Sequence, residues 1–392
     1  MASLKYVVSV LAVAGSALAQ NGCSADSNTI QSQGDASALS NCATISGDVI
    51  IASEVAGTIS LDGVQKINGQ LNCTNSFGLT SIEADDLTTI GKGFVLNNLT
   101  TLSGLIFPQL TEVDSIQWEA LPALQNLTFA QSVQQATNVL ISNTQLQSLQ
   151  GIDLMMVENF NINNNPYLTS ITTQLSNITT SLTLQANAKS LVASFPDLQT
   201  ALNMTFRNIS GINVPALSTV NGSLVLDDNF FTSFSAPNLT QCGGISVAGN
   251  SQLTNISLPS LTTINGGYQI ANNTALLSID GFQNLKVVAG AIDFSGNFTN
   301  ASLPALADVK GGFNLQTSAT FDCDPFQTDS SNGVIKGTYV CAGKQVDPGT
   351  AGHPTSSGAS PTKSGSANQQ NVNAAAVVGL SSFIGGMLQL VL

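Results

Sequence analysis

Residues 215–229 read Pro-Ala-Leu-Ser-Thr-Val-Asn-Gly-Ser-Leu-Val-Leu-Asp-Asp-Asn, and the spacing within this stretch decides the fold. Counted from Pro215, Leu217 stands at +2, Val220 at +5, Gly222 at +7, Leu224 at +9, Leu226 at +11 and Asn229 at +14. Leu224 and Leu226 share one face of a strand, because successive side chains point to opposite sides. The template returns from Pro259 as Leu261, Ile264, Gly266, Tyr268, Ile270 and Asn273, and from Gln283 as Leu285, Val288, Gly290, Ile292, Phe294 and Asn297. Pro304 opens another copy through Leu306, Val309, Gly311, Phe313 and Leu315, and Thr173 opens one that ends at Asn187. Pro237 fits with its strand one residue early, at Ile245 and Val247, and Asp62 and Asp85 start weaker copies.

Starts at 215, 237, 259, 283 and 304 are separated by 22, 22, 24 and 21 residues. A period of this size means a solenoid, whose repeats cannot bury their apolar stripe alone and build a core by stacking. Glycine at +7 marks a corner needing positive φ or close backbone approach, and asparagine at +14 can bond neighbouring backbone in a turn. The residues between strands are rich in Thr, Ser, Asn and Gly, which argues against a helix in each repeat. The expectation is a mainly β fold, a right-handed parallel β-solenoid of about 14 coils of roughly 22 residues. The register blurs between Pro122 and Gln150, so one continuous solenoid is preferred over two lobes joined near 122–150.

The two ends read as addresses. Lys5, the apolar run Tyr6 to Ala14, and Ala17 and Ala19 framing Leu18 make residues 1–19 a secretory signal peptide. Residues 374–392 form an uncharged apolar tail, preceded by small residues Ser364, Gly365, Ser366 and Ala367 and a polar spacer from Asn368 to Asn373. That order is a glycosylphosphatidylinositol (GPI) attachment signal, with a tail-anchored helix as the alternative. Attachment is expected at Gly365, within the window Ser364 to Asn368. The solenoid then occupies residues 20–341, a Ser/Thr/Gly/Pro-rich stalk 342–365, and a removed propeptide 366–392. Six cysteines suit a secreted chain. Cys23 with Cys42 and Cys323 with Cys341 would cap the open ends of the stack, although six cysteines allow 15 pairings. Cys73 and Cys242 fall on core-facing positions many coils apart and read as buried thiols.

Only 8% of residues are charged, against 43% apolar, and 10 basic residues oppose 23 acidic ones for a net charge of −13. Nucleic acid is excluded as a partner by that balance. One His and one Arg leave no material for His-based triads, zinc sites or arginine clamps, so no cofactor or metal is expected. Sugar can solvate such a surface. Asn-x-Ser/Thr acceptors stand at Asn72, Asn98, Asn126, Asn177, Asn203, Asn208, Asn221, Asn238, Asn255, Asn272, Asn297 and Asn300, and each occupied one must face solvent.

Glycoside hydrolysis needs two carboxylates across one cleft. The acidic pairs are Asp85 with Asp86, Asp227 with Asp228, and Asp322 with Asp324. Adjacent strand residues face opposite ways, so Asp227 and Asp228 read as a turn and Asp322 and Asp324 as part of the cap. Of the aromatics the template does not explain, Trp118 reads as core. Tyr167, Phe230 and Phe231 remain candidates for stacking on a sugar ring or meeting a partner.

The run Asn41-Cys42-Ala43-Thr44-Ile45-Ser46-Gly47-Asp48-Val49, the segment from Gly57 to Val64 and the repeats resemble fungal GPI-anchored cell-wall organisation proteins, including the sporulation-specific members. Those proteins are similar to the receptor L-domain, a right-handed β-helix of leucine-rich-repeat character. The resemblance spans nearly the whole chain. It implies a non-enzymatic glycoprotein of the plasma membrane outer face and cell wall, held by a GPI lipid, monomeric, and in contact with wall glucan or wall proteins. A wall-remodelling glycosidase or transglycosylase on a β-helix, or a ligand-binding receptor, are the competing readings.

Overall fold

The computed structural model describes residues 22–349; the signal peptide, the GPI signal with Gly365, and the rest of the stalk lie outside them. The chain forms two compact units divided between Val133 and Gln134, within the stretch where the repeat register blurs. Each is a parallel β-solenoid built on one long sheet.

In the first unit the long sheet runs through β1 (Ser27–Ile30), β2 (Asp48–Ile51), β3 (Leu71–Thr74), β4 (Thr89–Asn97) and β5 (Glu112–Leu121). All neighbours are parallel, and Val49, Leu71, Phe94 and Ile116 stack in register. The second unit stacks β6 (Asn138–Thr144), β7 (Met156–Asn163), β8 (Asn177–Gln185), β9 (Thr200–Arg207), β10 (Thr219–Asp227), β11 (Gln241–Ala248), β12 (Tyr268–Ala271), β13 (Ile292–Gly296), β14 (Phe313–Thr317) and β15 (Tyr339–Ala342). Its inward column is Val139, Phe160, Leu182, Met204, Leu224, Ile245, Tyr268, Ile292, Phe313 and Tyr339. Leu224 and Leu226 are fully buried, as alternation requires, and so are Leu217 and Val220. Short parallel pairings on a second side, such as Ser170–Thr172 with Val192–Ser194, close each coil.

The corner glycines owe their identity to proximity and not to dihedral angle. Gly222, Gly266, Gly290 and Gly311 all have ordinary φ. They sit one above another, and a Cβ on Gly266 would lie 2.7 Å from the Gly243 carbonyl oxygen, one on Gly311 2.6 Å from that of Gly290. Positive φ occurs instead one residue before the asparagine position, at Asn164, Ala186, Asn208, Asp228, Gly249 and Asn272. Asn, Asp and Gly tolerate that region best, which accounts for most of these choices.

Asparagine at +14 turns inward and bonds from coil to coil. Asn229 donates Nδ2 to the Phe206 carbonyl (2.9 Å), while its own backbone N–H and Nδ2 both reach Asn250 Oδ1 (2.9 and 3.0 Å). Asn250 repeats this pattern on Leu226 O and on Asn273 Oδ1. A second run joins Thr144, Asn165 and Asn187. The position reads Ile209 in the intervening coil, whose N–H still bonds Asn229 Oδ1 at 3.2 Å. Asn297 departs from the template. Phe298 takes the interior beside it, 2% exposed and edge-on to Phe321, whereas Asn297 bonds outward to the Thr274 carbonyl. A larger ring outcompetes an amide there because the neighbouring cap supplies an aromatic partner.

Disulfides close both ends. Cys23–Cys42 (Cα–Cα 5.4 Å) ties down α1 (Gln33–Ala38), and Cys323–Cys341 (5.9 Å) ties α2 (Asp324–Ser331) to β15. β15 is thus itself the last strand of the stack, with Leu315 opposite Cys341. Residues 343–349, read from sequence as the start of the stalk, lie against the solenoid. Lys344 N–H bonds Ala319 O and Gln345 N–H bonds Thr317 O.

Two substitutions test this account. Asn250→Ala strips partners from the buried Asn229 N–H and the Leu226 carbonyl and should lower unfolding free energy by about 2–4 kcal/mol in chemical denaturation. The Tyr268 hydroxyl is buried without a partner among the described residues. Tyr268→Phe should therefore leave the denaturation midpoint unchanged or raise it.

Candidate functional site

One carboxylate of each acidic pair does structural work. Asp227 ends β10 and is ion-paired with Arg207, its register partner on β9. Asp228 is the positive-φ residue of the following turn. Asp86 accepts the Gly63 N–H at 3.1 Å, and Asp322 accepts the Asp324 N–H at 3.0 Å at the start of α2. No group of three or more metal-ligating side chains converges among the described residues.

The aromatics divide. Trp118 is fully buried in a T-shaped contact with Phe94 at 5.4 Å, and Phe231 is 4% exposed against Phe234. Tyr167 is 56% exposed. Phe230 is half-buried, with the Lys189 ammonium 5.8 Å from its ring. Trp118 is core, as its apolar surroundings suggest, and of the three remaining aromatics Phe231 also belongs to the core while Tyr167 and Phe230 reach solvent. The rings of Phe94 and Phe129, both edge-on to Trp118, give it apolar partners inside the coil.

Every glycan acceptor lies outside the core. Asn126, Asn221, Asn238, Asn255, Asn272 and Asn300 are exposed, and Asn72, Asn98, Asn177, Asn203, Asn208 and Asn297 are half-buried. The buried asparagines Asn165, Asn187, Asn229, Asn250 and Asn273 carry no Ser or Thr two residues on. The asparagines buried between coils and those of the Asn-x-Ser/Thr motifs are therefore distinct sets.

A feature the repeat template leaves out is the outward face of the long sheet in the second unit. On β7, Asn159, Asn161 and Asn163 alternate with the buried Phe160 and Ile162. Asn159 Nδ2 donates to Asn138 on β6 (2.7 Å), Ser181 on β8 donates to Asn159 (2.9 Å), and Ser142 donates to Asn163 (2.6 Å). The clue was present in the sequence as Asn at every second position from 159 to 163, which is the period of a strand.

The family model for GPI-anchored cell wall organization proteins of the Ecm33 type matches residues 1–40. The chain is 44% identical to "Protein ecm33" of Aspergillus fumigatus over 92% of this chain and 92% of that one. It is 43% identical to "Cell surface GPI-anchored protein" of Arthroderma benhamiae, covering 89% and 90% of the two. The chain belongs to the Ecm33 family. Like its relatives, this Ecm33-family chain is a fungal GPI-anchored protein of the plasma membrane outer face and cell wall, with a role in wall organisation. Similarity extends to "Sporulation-specific protein 2" of Saccharomyces cerevisiae, at 33% identity over 76% of this chain and 60% of that one. These relatives bear cell-wall, cell-surface and sporulation names, and none of these names is that of an enzyme. No solved structure matches the chain.

The two unpaired cysteines are sealed. Burial pushes both the Cys73 and the Cys242 thiol up to about 12 from an ordinary value of 9.0, so neither forms the reactive thiolate near neutrality. Neither should react with a thiol reagent at pH 8 until the protein is unfolded, as mass spectrometry before and after denaturant would record. A raised native value favours the folded state fully below the unfolded value, so stability should fall as pH rises from about 9 towards 12.

Proposed function

We propose that this Ecm33-family protein acts in the wall as a non-enzymatic, monomeric glycoprotein, lipid-anchored at Gly365 or a neighbour within Ser364 to Asn368, whose solenoid contacts wall glucan or wall proteins. The observation that carries this reading is the contrast between its carboxylates and its asparagines. Asp86, Asp227 and Asp322 each hold a backbone N–H or an ion pair, as carboxylates of turns and strand ends do. None of the twelve Asn-x-Ser/Thr asparagines, by contrast, is buried, and six are exposed, which supports their use as glycan acceptors. N-linked glycans at those positions supply the solubility that a surface with 8% charged residues lacks.

The glycosidase or transglycosylase alternative is separable by assay. Purified secreted protein should release nothing from glucan, chitin or mannan oligomers. Turnover that disappears in Asp227→Asn or Asp228→Asn would establish an enzyme instead. In cells, deletion should sensitise the wall to dyes that bind glucan and chitin, and a chain with Gly365 and its neighbours made bulky should be lost from the surface fraction.

A further inference from the structure

The stretch from Asn138 to Asn165 is the least explained by wall glycosylation. It holds seven asparagines, at 138, 143, 159, 161, 163, 164 and 165, and none is an acceptor; no acceptor occurs between Asn126 and Asn177. Only Asn165 of the seven is committed to the buried inter-coil bonds. Asn138, Asn159, Asn161 and Asn163 lie half-buried on the outward face of β6 and β7, and Asn143 and Asn164 are exposed at positive φ where the two strands end.

That face is pre-organised. The bonds from Asn159 to Asn138, from Ser181 to Asn159 and from Asn163 to Asn161 (2.9 Å) fix the side chains in rows along the solenoid. An amide has two N–H donors and a two-lone-pair oxygen, so these bonds leave further donors and acceptors directed outward. Along β6, β7 and β8 only one residue is charged, Glu158, at the start of the β7 register shift. Met155 and Met156, 62% and 63% exposed, stand at the entry to β7 and supply adaptable apolar contact.

The far end of the same sheet shows what such a face does. There the chain's own Gly349 sits against it. Asn314 Nδ2 on β14 donates to the Gly349 carbonyl at 3.1 Å, and the Gly349 N–H donates to Gln316 Oε1 at 3.1 Å. Outward amides on β14 therefore bind a neighbouring polar backbone unit, and Asn138, Asn161 and Thr183 on β6 to β8 keep solvent exposure.

We propose that the outward face of β6, β7 and β8, centred on Asn161 and Thr183, is a docking platform for an extended, uncharged polysaccharide running along the solenoid axis. This rests on the wall reading above. The neutral amide and hydroxyl rows match a hydroxyl-rich polymer and give a polyanion nothing to pair with. Adjacent strands lie about 4.8 Å apart, close to the roughly 5 Å length of one pyranose unit, whereas a peptide advances about 3.3 Å per residue and falls out of step. One sugar per coil keeps the same contact repeating.

The test uses the full secreted chain and soluble β-1,3-glucan and chitin oligosaccharides as probes, read by titration calorimetry, with polygalacturonate as the anionic comparator. Wild type should bind at least one uncharged probe and not polygalacturonate. Asn161→Glu with Thr183→Glu should weaken binding at least tenfold with an unchanged circular dichroism spectrum, and Asn161→Gln should retain it. Thr172→Glu, exposed on the second side of the coil, should bind as wild type. Enzymatic removal of N-linked sugar should leave binding intact. The platform is overturned if wild type binds no uncharged probe, if it prefers the polyanion, if Thr172→Glu loses as much as the double variant, or if only a wall protein is captured. Any of these results beside a dye-sensitive deletion strain sinks the platform and leaves the wall role standing. A deletion strain with a normal wall removes the reading on which the platform rests.

Discussion

The constraint on which everything else depends is that no single coil can satisfy itself. A turn of about 22 residues has too little interior to cover Leu224 and Leu226, and its strand carries a full row of unpaired N–H and C=O groups on each edge. Stacking in parallel register solves both problems together, because the strand spacing that completes the backbone bonds also brings the inward columns into van der Waals contact. The corner glycines and the buried asparagines follow from that spacing. Coils cannot approach to strand distance at the corner if a Cβ intervenes at Gly266 or Gly311. Where the chain leaves the strand, its carbonyls lose their ladder partners, and Asn229 or Asn250 restores one from the side.

This division of labour explains how much of the fold was legible in advance. Apolar spacing is imposed by the core, so Leu217, Val220, Leu224 and Leu226 announced their positions without reference to the rest of the chain. Gly222 was placed correctly and explained incompletely, since sequence does not distinguish a glycine needed for dihedral freedom from one needed for a close neighbour. The positive-φ position was hidden because Asn, Ala, Asp and Gly all occupy it, so no single letter recurs. Asn297 misled because the identity of an interior residue depends on the next coil, and there Phe321 rewards a ring.

The site was less legible for a related reason. Carboxylates catch attention as candidate catalysts, yet their fate is set by local turns and by one arginine, which a linear reading weighs only in part. Asparagine carries three different duties in this chain. It is buried at Asn250, at positive φ at Asn164, and outward on the sheet at Asn161. What separates them is position within the coil, and that becomes visible only once the register is fixed.

The last coil also determines how the protein can be pulled. A molecule tethered through its C-terminal side receives any tension from the wall or membrane at residues 343–349, which cross Thr317 and Ala319 before joining β15. Load entering there first shears the few bonds of this strap and then meets the Cys323–Cys341 link, which is covalent and closes α2 and β15 into one loop. The disulfide carries that load from Cys341 straight to Cys323, so α2 and the residues between the two cysteines are spared extension, and the tension is handed to the coils through Asp322.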